Sequence, residues 1–151
     1  MKPMAKQLAE TQQCGVYQLV SALEAVERAA QEAGLAVFRV DIGEVRNKAD
    51  FLGRVAKALS FPNWFGSNWD ALNDCLTDLD WLSTKTGYVL IFENSDDFGS
   101  HHKSEFDTAT DVLNNAAEYW KEEGRSFWAF MAVAGDWESG LTKWPSGSGE
   151  I

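Results

Sequence analysis

The chain of 151 residues is 45% hydrophobic and carries a net charge of −10, a balance that suits one globular domain with a real core. Such a charge disfavours direct binding to nucleic acid, where lysine and arginine must replace phosphate counterions, and to anionic membranes; it points to a basic protein as partner. Cys14 and Cys75 stand far apart in no metal or disulfide spacing, no apolar run approaches a membrane span, and the N-terminus lacks an apolar signal region, so a reduced cytoplasmic protein is expected.

Residues 1–15 are polar and aperiodic and read as a mobile lead. Tyr17 to Ala33 reads as an added N-terminal helix, because Leu19, Leu23, Val26 and Ala30 recur three or four apart and Gly34 follows as a C-terminal cap. Ala36 to Ile42 alternates as a strand, with Phe38, Val40 and Ile42 on one face and Val37, Arg39 and Asp41 on the other. Asn47 or Asp50 caps a further helix that buries Phe51, Leu52, Val55 and Leu59, and Pro62 prevents its continuation.

The stretch Ser60 to Leu82 joins an aromatic loop (Trp64, Phe65, Gly66) to a short helix carrying Asp70, Asp74 and Asp78, with no Lys or Arg between Ala58 and Thr84. At roughly 100° per residue, Leu72, Cys75, Leu76 and Leu79 gather on one side of this helix. Asp70, Asn73, Asp74 and Thr77 gather on the other, with Asp78 at the edge. Beyond it, Tyr88 to Phe92 is apolar at every position, as in a strand covered on both faces. Glu93 to Phe98 reads as an acidic loop and Thr108 to Glu123 as a helix with Val112, Leu113, Ala116, Ala117 and Trp120 inward, stopped by Gly124. Phe127 to Ala134 is a third strand, and residues 137–151 read as a flexible tail. Strands alternating with helices imply an α/β domain over residues 16–136, built on a small three-stranded parallel sheet flanked by helices.

Nucleotide-binding, P-loop, serine-hydrolase and zinc-protease signatures are absent from the chain. His101 and His102, near Asp96 and Asp97, lack the rigid geometry of a metal site and read as solvated side chains. Cys75 falls on the buried side of its helix and behaves as a small hydrophobe. The acidic face is harder to dismiss. Aspartate is a poor interior helix former, carboxylates near a helix C-terminus oppose its dipole, and no cation sits four residues away to offset them. An acid–base pair from Asp70 and Asp74 would suit a small hydrolase, yet catalytic carboxylates normally oppose each other across a cleft. A divalent-metal site on the same pair lacks converging ligands. A protein-docking face, with Trp64 and Phe65 as aromatic anchors, fits better and needs no cofactor.

The run from Trp64 to Thr77, aromatic-aromatic-Gly-x-Asn-x-Asp-Ala-Leu-x-Asp-Cys-Leu-Thr, resembles the signature of the barstar family, intracellular inhibitors of secreted ribonucleases. The likeness extends over about Ala36 to Ala134. It implies a three-stranded parallel sheet and an inhibitory surface made of the aromatic loop and the acidic helix, acting one-to-one on a basic ribonuclease. Carried over by position, Trp64 and Phe65 stand where the family has two tyrosines, beside Gly66. Asn68, Asp70, Asp74 and Thr77 match identical contact residues, and the resemblance implies that Asp74 enters the nuclease's phosphate site. Glu118 matches a further acidic contact. Asn73 replaces a tryptophan and Asp78 a glycine, which implies a different cognate nuclease or altered specificity with the same principle retained; the separate alternative is an interaction domain whose partner is not a nuclease.

Overall fold

The structure, a computed structural model, describes residues 3–62, 68–79, 82, 86–133 and 137–145. Its strands are β1 (Val16–Leu19), β2 (Ala36–Asp41), β3 (Gly87–Glu93), β4 (Ser126–Ala132) and β5 (Lys143–Trp144), all parallel, in the order β2-β3-β4-β1-β5. The helices are α1 (Met4–Leu8), α2 (Leu23–Glu32), α3 (Lys48–Ala58), α4 (Trp69–Leu76), α5 (Asp96–His101) and α6 (Lys103–Glu122).

Alternation along each strand sorts the core into two layers. Val40, Tyr88, Leu90, Phe92, Phe127, Ala129 and Met131 face one way, onto α3, α4, α5 and α6. Val89, Ile91, Trp128 and Phe130 face the other, onto α1 and α2. The alternation expected for residues 36–42 is observed, with Val37 joining the second layer while Phe38, Val40 and Ile42 join the first. β3 is covered on both faces, which explains why its run is apolar throughout. Gly34 and Gly124, at φ +80° and +78°, end α2 and α6 in the left-handed conformation that glycine adopts without steric penalty.

The sheet has five strands rather than three. Two departures account for the difference, and both lie near the chain ends. The helix expected over Tyr17 to Ala33 is split: Val16–Leu19 is a strand beside β4, and only Leu23–Glu32 is helical. Leu19 satisfies a helical spacing and a strand spacing equally well, and pairing with β4, more than a hundred positions away, decides between them. Residues 1–15, expected as a mobile lead, include α1, with Leu8 fully buried and its carbonyl accepting from Trp128 Nε1 at 2.8 Å. Within the expected flexible tail, Trp144 is buried in β5 against Trp128 and Phe130, at ring separations of 5.6 and 4.9 Å. Gln18 of β1 anchors the approach to β5: its Oε1 accepts from the Ser139 hydroxyl at 2.6 Å and the Ser139 N–H at 3.1 Å.

Two smaller corrections concern the far side of the chain. The expected acidic loop after Glu93 holds α5, and α6 starts at Lys103 rather than Thr108 because Phe106, 2% exposed, extends the buried stripe back by a turn. Trp137 lies against Gly99 of α5 and meets Phe106 edge-on at 5.2 Å, closing the first core layer from the C-terminal side. No helix among the described residues is long and apolar enough to cross a membrane.

Candidate protein-docking face on α4

α4 owes its position to a polar start and an apolar underside. Asn68 at the N-cap accepts from the Ala71 N–H at 2.8 Å, satisfying one of the free donors of the first turn. Leu72, Cys75, Leu76 and then Leu79 are fully buried beneath it, the side expected from their spacing. Each buried leucine contributes about 1.5–3 kcal/mol by removal from water. Trp69 packs against Phe51 of α3 at 6.0 Å, and Phe51 in turn stacks on Phe92 and Phe98 at 5.7 and 5.2 Å. This aromatic column forms the floor on which α4 begins.

The helix is shorter than expected at its C-terminal end. It stops at Leu76; Thr77 is the C-cap, and its hydroxyl donates to the Asn73 carbonyl at 2.8 Å. Asp78 therefore lies in the turn beyond the helix, with its N–H donating to the Cys75 carbonyl at 3.1 Å. The turn is closed by Leu79 at φ +52°, where full burial of the side chain offsets the strain of a left-handed leucine.

The residues singled out from the sequence separate into three groups. Asp70 and Asp74 are exposed, and among the described residues neither carboxylate has a hydrogen-bond or ion-pair partner. Asn68, Asn73 and Thr77 have internal roles. Asn68 and Thr77 cap the two ends of α4, while Asn73 Oδ1 accepts from Asn115 Nδ2 of α6 at 2.7 Å. Trp64, Phe65 and Gly66 lie outside the described residues.

Glu118 is exposed on α6, three residues beyond Asn115, and accepts from Lys121 Nζ at 3.1 Å. The helix that carries it, α6, is tied to α4 twice. One tie is the Asn115–Asn73 bond. The other is a bond of 2.7 Å from the buried Trp120 Nε1 to the Leu76 carbonyl, which satisfies an acceptor that the end of α4 would otherwise leave orphaned. Sequence reasoning missed Asn115. Its one signal was its place one turn before Glu118, on a helix expected to pack by its opposite side.

The electrostatics of α4 are one-sided. Asp70 lies in the first turn, where the helix dipole favours it, but the last turn carries no basic residue to offset Asp74. Burial pushes the Cys75 thiol up to about 11, with the Asp74 and Asp78 carboxylates adding to the shift, so the thiol is neutral and unreactive near pH 7. At the expected histidine pair, His101 Nδ1 lies 2.7 Å from Asp97 on the surface, while His102 stacks on Phe98. No cluster of three metal-ligating side chains occurs among the described residues.

The family model described as Barstar (barnase inhibitor) matches residues 35–132, which run from the residue before β2 to the end of β4. The chain belongs to the barstar family. The matched segment contains β2, β3, β4 and the α3–α6 layer, so the acidic helix and its supports fall inside it, whereas α1, β1, α2 and β5 lie outside. These outer elements supply the barstar-family sheet here with its two further strands and its second helical layer. No curated protein matches the chain.

Proposed function

We propose that the protein inhibits a basic ribonuclease by seating the exposed face of α4 in the nuclease's active site. Asp74 is the anchoring carboxylate in this reading, Asp70 and Glu118 flank it, and the loop with Trp64, Phe65 and Gly66 adds apolar contacts. One observation carries the proposal. In a chain of the barnase-inhibitor family, Asp70 and Asp74 are exposed carboxylates without a partner among the described residues, on a helix whose last turn has no cation. Carboxylates held ready in this way meet arginine and lysine side chains that otherwise bind RNA phosphates, forming charge-assisted hydrogen bonds. The same field draws a cationic partner in, so association is fast at low salt and slows as salt screens it. Blockade is steric and electrostatic; no bond of the inhibitor or of RNA is made or broken by its own residues. Asn68, Asn73 and Thr77 act in this scheme by shaping α4, and Asp78 adds charge from the turn beyond it.

The test is inhibition of RNA cleavage by a panel of small basic ribonucleases, barnase first, titrated with wild type and with Asp74→Ala. Stoichiometric inhibition by the wild type and its loss in the variant support the proposal. Equal potency of the two proteins, or a panel untouched by either, counts against it.

A further inference from the structure

The two ties between α4 and α6 define a seam. Asn115 reaches Asn73, and five residues later Trp120 reaches Leu76, three residues further along α4. The two helices therefore advance in the same sense. Between the ties Ala116 and Ala117 are buried, while Glu118 and Tyr119 are exposed. Tyr119 is 41% exposed and, among the described residues, shares the status of exposed large hydrophobe only with Val20, which follows β1.

An exposed tyrosine is ordinary by itself. Three features set this one apart. Its ring meets Trp120 edge-on at 5.0 Å, and Trp120 is buried and bonded to α4, so the ring is backed by a fixed surface. Its hydroxyl has no hydrogen-bond partner among the described residues. Its chain neighbour Glu118 is an exposed carboxylate paired with Lys121, and α6 is bonded to the acidic helix α4, whose Asp70 and Asp74 supply the charge that steers a cationic protein to this part of the surface.

We infer that Tyr119 is a specificity-determining contact of the docking face, packing its ring against an arginine or lysine on the rim of a cationic partner protein. The inference rests on the docking role proposed for α4 and Glu118, and adds an aromatic contact from α6 to that surface. A guanidinium over a tyrosine ring is attracted by the ring quadrupole, and a tyrosine already held by a neighbouring indole loses little freedom on binding. Aromatic anchors of this kind hold a complex together, whereas exposed rim carboxylates mainly speed its formation.

The experiment follows binding kinetics with the panel ribonuclease that the wild type inhibits, comparing Tyr119→Ala, Tyr119→Lys, Val20→Ala and Asp74→Ala. Tyr119→Ala is expected to dissociate about tenfold faster with little change in association rate or thermal midpoint. Val20→Ala is expected to match the wild type. Tyr119→Lys keeps a long stem over Trp120 but adds a cation, so it slows association in a salt-dependent way. That variant decides the matter if Tyr119→Ala proves less stable. Wild-type kinetics for both Tyr119 variants, alongside loss of binding in Asp74→Ala, overturn the inference and leave the docking role standing. Wild-type binding by Asp74→Ala, or a panel in which no ribonuclease binds, removes the docking role and the inference with it.

Discussion

Asp74→Ala should make the free protein more stable while weakening its complex. The carboxylate is exposed, lies in the last turn of α4 and has no internal partner among the described residues. Alanine removes a poor helix former, worth about 0.6 kcal/mol at an interior position. It also removes an unfavourable charge–dipole contact and the like-charge i,i+4 pair with Asp70, each about 0.3 kcal/mol on a surface. The expected gain is about 1 kcal/mol, a rise of about 2–4 °C in thermal midpoint for a domain of this size. In the complex, truncating one partner of a buried charge pair costs about 2–5 kcal/mol, a range to which the barnase–barstar complex itself contributes. Urea denaturation of the free protein and an inhibition titration at low salt measure the two effects separately. A loss of stability above about 1 kcal/mol would refute the account of Asp74 as unpartnered. A stabilised variant that inhibits as well as wild type would refute the docking role. Opposite signs in the two assays mark a residue retained for something outside the molecule.

Trp120→Phe keeps an aromatic ring but leaves the Leu76 carbonyl without its donor, and denaturant melts should show a loss of about 1–3 kcal/mol; a neutral result would mean that water replaces the indole. Gly99→Ala places a methyl group in the Trp137 ring, and overpacking of this kind costs about 1–3 kcal/mol. The paired change Gly99→Ala with Trp137→Leu should recover part of that loss, and a double variant no better than Gly99→Ala would show the clash lies elsewhere. Cys75 should resist alkylation in native protein at pH 8 and react promptly in denaturant, read by mass spectrometry. Its folded pKa is raised from 9.0 to about 11, so this group's stabilising contribution is complete below pH 9 and is lost as pH rises through 11. Rapid native labelling at pH 8 would contradict the burial that raises it.

Local patterns in the sequence were enough for the centre of the molecule. The alternation at Ala36 to Ile42, the apolar run of β3 and the spacing of Leu72, Cys75 and Leu76 each follow from a period of two or 3.6, and the structure keeps all three. The acidic face was legible for the same reason, since helical geometry alone turns Asp70 and Asp74 away from the leucines. Tertiary structure decided whatever depended on a distant partner. Val16–Leu19 became a strand because β4 offered it hydrogen bonds, and Lys143–Trp144 became another because β1 then presented a new edge. Asn73 looked like any polar residue on an outward face until Asn115 was placed beside it. Asp70 and Asp74 needed only their own helix to be found; that neither carboxylate meets a partner among the described residues, and that Asn115 and Trp120 reach α4, depended on how α6 packs. A helix's period is written in its own residues, while its neighbours are set by which apolar stripes and hydrogen-bonding groups meet across the whole chain.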